Sequence, residues 1–114
     1  MTVERDALDN LDLSDMVEDG ADDIPTPSPG EILRHEFMEP LDLSANALAR
    51  RLNVPPNRIT SILNNQRSIT ANTALRLGKL FGTTPEFWLG LQAAYDLDIA
   101  KKKSDLSRIK PIAA

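Results

Sequence analysis

Between Leu43 and Pro85 the sequence carries Arg50, Arg51, Arg58, Arg67, Arg76 and Lys79 and no Asp or Glu, although the whole chain has a formal charge of −4. Positive charge with no neighbouring carboxylate to neutralise it is the chemistry of a surface that meets a polyanion. The same block sets Pro56, Asn57, Arg58, Thr60, Ser61 and Asn64 among the apolar Ile59, Ile62 and Leu63. At helical spacing the apolar three face inward. The polar groups face outward, at a size that reaches base edges in a DNA major groove. A merely solvated helix would use the same polar residues, but it has no reason to clear the acids beside them.

Other chemistries find little support. His35 is the single histidine and there is no cysteine, so a catalytic triad, a thiolate zinc site and a multi-histidine metal site are not expected. The five glycines form no phosphate-binding loop. Glu18-Asp19 and Asp22-Asp23 lack the glycine-turn ligand spacing of a calcium loop. No catalytic residue, cofactor or metal is therefore expected. No apolar run approaches the ~18 residues of a membrane helix, and the acidic start is unlike a secretory signal. The expectation is a soluble cytoplasmic protein with no membrane partner.

Helices must position the polar block. Ser28-Pro29 with Glu31 opens the first, which runs to about Met38 and stops before Pro40. Ser44 caps a second, with Ala47, Leu48 and Leu52 as its apolar stripe. The third extends from Pro56 to Leu63, and Asn53-Val54-Pro55 is the turn between the two. Ala49 sits where they would approach closely, and Val54 can plug the core beneath the turn. Thr70 caps a fourth helix bearing Ala74, Leu77, Gly78 and Phe81. Thr84-Pro85-Glu86 opens a fifth that reaches roughly Ala100. No window alternates with the period of a strand. The fold class is all-α, and two short helices joined by that turn make a helix-turn-helix.

Charge divides the chain. Residues 1–23 hold nine acids against Arg5, a net of −8, so residues 24–114 carry +4. The first 27 residues, acidic and then Pro-rich, are expected to be disordered when free. Residues 28–100 form the domain, and 101–114, beginning Lys101-Lys102-Lys103, a frayed basic tail.

The run SPGEILRHEFMEPLDLSANALARRLNVPPNRITSILNNQRSIT, followed by TALRLGKLFGTTPEFWLGLQAAYDLDIA, resembles the HigA antitoxins within the lambda-repressor-like helix-turn-helix proteins. The resemblance covers about residues 28 to 100. It implies a homodimer that binds double-stranded operator DNA, represses its own operon and neutralises an mRNA-cleaving toxin of the RelE/HigB type. By position it assigns Ser44 and Asn46 to phosphate contacts and Pro56, Asn57, Thr60 and Ser61 to base reading. Arg58 falls within reach of either, and Asn64, Asn65, Gln66 and Arg67 form a backbone-tracking loop; Arg50 and Arg51 add phosphate charge. Asp42, Asn53 and Asn65 stand where the family often has glycine, and Asn and Asp tolerate a left-handed backbone best among other residues. Pro55-Pro56 replaces more flexible polar residues at the head of the reading helix.

Two segments suggest further partners. The fifth helix has apolar residues on more than one stripe, so Trp88, Leu91 and Tyr95 are expected at a dimer interface. Leu8, Leu11, Leu13 and Met16 are candidate anchors for a toxin, with the surrounding carboxylates covering its basic surface. The acidic segment could equally fold back on the basic block. A free-standing phage-type repressor without a toxin is the alternative function, and a helical interaction module that has lost DNA binding a more distant one.

Overall fold

Four of the helix starts marked by Ser or Thr are closed by that residue's own side chain. Ser28 Oγ accepts from the Glu31 amide at 3.1 Å, and Glu31 Oε1 accepts in return from the Ser28 amide at 3.0 Å, a reciprocal capping box. Ser44 accepts from Ala47 N at 3.1 Å, Thr70 from Thr73 N at 3.5 Å and Thr84 from Phe87 N at 3.1 Å. These fix where α1, α2, α4 and α5 begin. The remaining helix, α3, starts without a side-chain cap, behind Pro55 and with Pro56 in its first turn.

The computed structural model describes residues 25–112. Among them are five helices and no strand. Helix α1 is α-helical over Pro29–Ile32 and continues as a π-helix over Leu33–Met38, followed by α2 (Ala45–Leu52), α3 (Pro56–Leu63), α4 (Ala71–Phe81) and α5 (Pro85–Lys103). The acidic segment, expected to be disordered when free, and Leu8, Leu11, Leu13 and Met16 lie outside the described residues. No helix among those described is long and apolar enough to cross a membrane.

The π-helical stretch widens α1 after Ile32. Its Glu39 amide reaches back to Arg34 O at 2.9 Å, one residue further than in an α-helix. The wider turn brings Leu33 and Met38 onto one buried face, while Glu36 stays exposed. Helix α5 also runs further than expected, to Lys103. Lys102 pairs with Asp98 at 3.2 Å, and cations suit the negative end of a helix dipole.

Leu33, Met38, Leu48, Ala49, Leu52, Ile59, Ile62, Ile69, Ala74, Leu77 and Trp88 form one continuous core to which every helix contributes. Two glycines permit the closest approaches. A Cβ on Gly30 would lie 2.5 Å from Ile62 O, and one on Gly78 would lie 2.7 Å from Thr83 O. Both obstacles are backbone, so α1 against α3 and α4 against the start of α5 could not pack this way with alanine. Asp42, Asn53 and Asn65 all adopt the left-handed backbone expected of them, with φ of 54°, 61° and 61°.

Candidate nucleic-acid interface

The helix-turn-helix is held from behind. Ala49 is buried at the crossing, and the Val54 amide donates to Ala49 O at 3.0 Å, with Val54 packed on the core below the turn. On α3, Ile59 and Ile62 are buried and Leu63 half-buried. The opposite side leaves Pro56, Asn57 and Thr60 exposed and Arg58 and Ser61 half-exposed. The Thr60 hydroxyl donates to Asn57 O at 3.3 Å, which leaves its oxygen to accept from a partner. Asn64, Asn65, Gln66 and Arg67 are exposed just beyond, and the Gln66 amide turns the loop back onto Ser61 O at 2.8 Å.

Ser44 and Asn46 at the start of α2 and Arg50 and Arg51 in its last turn are all exposed. The Ser44 oxygen accepts from the helix, so its hydrogen stays free to donate, as a phosphate contact requires. Arg51 is placed apart from the rest. It lines the groove between α2 and α4 beside Leu75, Lys79 and Leu80. Arg67 shares a second groove with Gln92, Tyr95 and Asp96, so the tertiary fold returns a carboxylate to a stretch that is acid-free in sequence. Asp96 Oδ1 meanwhile accepts from Gln92 Nε2 at 3.0 Å.

Sequence reasoning missed the clamp behind α3. Asn72 Oδ1 accepts from Arg76 Nε at 2.9 Å and from Arg58 Nη1 at 3.3 Å. Arg76 Nη1 donates to Leu52 O at 2.9 Å and to Asn53 O at 3.5 Å, satisfying the open carbonyls at the end of α2. Arg76 therefore joins α2 to α4 and steadies Arg58 through Asn72. Replacing Arg76 with alanine is expected to lower stability by ~1–3 kcal/mol, since charged hydrogen bonds to backbone carbonyls are lost. The salt dependence of DNA binding should stay unchanged. Denaturant melts and a salt titration check both parts, and a flattened salt slope would move Arg76 into the contact surface.

The interface expectation for Trp88 is corrected. Its side chain is 0% exposed, donates from Nε1 to Thr83 Oγ1 at 2.7 Å, and packs within 5.0 Å of the Phe37 and Phe87 rings. An indole in its own core has no surface to offer a partner. Leu91 is half-buried against the same core, and Tyr95 is half-buried beside Arg67. His35 is exposed, its ring Nδ1 3.1 Å from Glu39 Oε1. Among the described residues no cluster of His, Asp or Glu could hold a metal ion.

A helix-turn-helix family model matches residues 35–88. A solved addiction-module antidote protein of the HigA family from Coxiella burnetii is 54% identical, with a TM-score of 0.74, over 77% of this chain and 99% of that one. The chain belongs to the HigA family. Antitoxin HigA from Pseudomonas aeruginosa, solved with the higBA promoter, is 39% identical with a TM-score of 0.70, over 77% of this chain and 99% of that one. Virulence-associated protein I of Dichelobacter nodosus is 47% identical over 95 residues, 82% of this chain and 88% of that protein. Membership of the HigA family places the chain among helix-turn-helix regulators and antitoxins rather than enzymes.

Proposed function

We propose that this protein is an operator-binding antitoxin. It acts as a homodimer, represses its own operon and neutralises a RelE/HigB-type toxin. The observation that carries the DNA half is the outward face of α3, where Asn57, Thr60 and Ser61 stand beside Arg58, on a fold whose Pseudomonas relative was solved with promoter DNA. Ser44, Asn46, Arg50 and the loop from Asn64 to Arg67 supply the phosphate contacts, and Asn57, Thr60 and Ser61 the base contacts. With Trp88 committed to the core, the dimer contact on α5 falls to Leu91, Tyr95 and the exposed Leu97. The toxin half rests on family membership and on the acid-rich segment with Leu8, Leu11, Leu13 and Met16, which suits a basic RNA-binding surface.

Asn57→Ala and Ser61→Ala are expected to change the preference among operator variants by ~1–3 kcal/mol at the base pairs contacted. The footprint should be an inverted repeat with half-site centres ~34–36 Å apart. An unchanged footprint and affinity when both residues are replaced would sink the assignment of α3. Co-expression with the product of the adjacent reading frame tests the toxin half. Copurification of a small basic protein supports it, and operator binding without any such partner favours a free-standing repressor.

A further inference from the structure

The groove between α2 and α4 has no part in the reading face. It is an open trough of about 490 Å³ that runs into a second depression between Leu41, Leu43, Leu80 and Phe81, and Arg51 borders both. Leu75 and Leu41 are 58% and 62% exposed at its two ends, although leucine is usually covered. Arg51 and Lys79 are the free cations on its rim, because Arg76 is spent on the Leu52 and Asn53 carbonyls. Among the described residues no Asp or Glu lines either depression. The occupant such a surface selects is apolar at intervals and strongly acidic between them.

We propose that residues 8–19 of this same chain occupy the groove, and that docking screens Arg51 and Lys79 from nucleic acid. That segment reads LDNLDLSDMVED, with Leu8, Leu11, Leu13 and Met16 separated by carboxylates and with no Lys or Arg. A basic partner, such as a protein that works on RNA, would be repelled by the same rim. The chain between Met16 and Pro25 spans up to ~30 Å when extended. Tethering holds the segment at an effective concentration in the millimolar range, so weak docking is well populated.

The test uses the full-length protein. Because the chain has no cysteine, Ser14→Cys accepts a single nitroxide label. At low salt the label is expected to quench the methyl signals of Leu41, Leu75 and Leu80 at least about two-fold, independently of protein concentration. Quenching should disappear at about 1 M salt, where charges are screened within ~3 Å, and in the exposed double substitution Arg51→Glu, Lys79→Glu. Deleting residues 1–24 should tighten non-specific DNA binding on the order of 3- to 10-fold, the factor by which a tethered competitor at such concentration suppresses it. Quenching centred elsewhere, absent, or growing with protein concentration overturns the proposal, as does unchanged non-specific affinity after deletion. The label is read on the free chain, so this result stands apart from whether a toxin is neutralised or an operator bound.

Discussion

Trp88→Ala should unfold a large fraction of the protein's stability, by ~3–5 kcal/mol. The indole is fully buried and touches a ring cluster in which Phe37 and Phe81 also sit 4.9 Å apart. Its removal leaves a cavity at the junction of α1, α4 and α5 and strips Thr83 Oγ1 of its donor. The loss should be the same at dilute and concentrated protein, because the contacts are internal to one chain. Denaturant melts over a hundredfold concentration range measure it. A loss that vanished at high concentration would restore Trp88 to the dimer interface. Trp88→Phe, which keeps part of the apolar volume but not the donor, should lose less.

Replacing Arg50, Arg58 and Arg67 together by alanine should weaken operator binding by about two orders of magnitude per half-site near 0.15 M salt. The figure follows from counterion release, in which each phosphate neutralised contributes a slope of about 0.9 in log affinity against log salt. The slope itself should fall by roughly 3 per half-site, and this is the sharper measurement because unfolding would not reproduce it. Arg67 should contribute least of the three, since Asp96 shares its groove. Base preference should remain as it was, with Asn57, Thr60 and Ser61 untouched. A large loss of affinity with the salt slope intact would show that these arginines act on structure and not on phosphate.

Local chemistry was legible in the chain because it depends on residues three or four apart. Ser28, Ser44, Thr70 and Thr84 announce helix starts through side chains that reach an amide one turn ahead, and each does so. The left-handed turns at Asp42, Asn53 and Asn65 follow from backbone sterics that only a few residue types tolerate. Ile59 and Ile62 likewise mark the inner side of α3, and with it which polar residues face outward.

Contacts between distant segments were not legible in this way. Trp88 looks like surplus apolar surface until α1 and α4 bring Phe37 and Phe81 against it. Arg76 counts as one more phosphate cation until the fold sets it against Leu52 O. Asp96 lies outside the acid-free block in sequence, yet stands beside Arg67 in space. Leu33 and Met38, five residues apart, share the inner face of α1 because the helix widens after Ile32. The sequence by itself determined where the helices begin, their caps and which side of α3 faces outward, since each is settled within one or two turns of backbone. Only the tertiary structure decided which cations remain free and which apolar side chains remain uncovered, because both depend on partners that packing brings from distant segments, as Leu52 O is brought to Arg76 and Phe37 to Trp88.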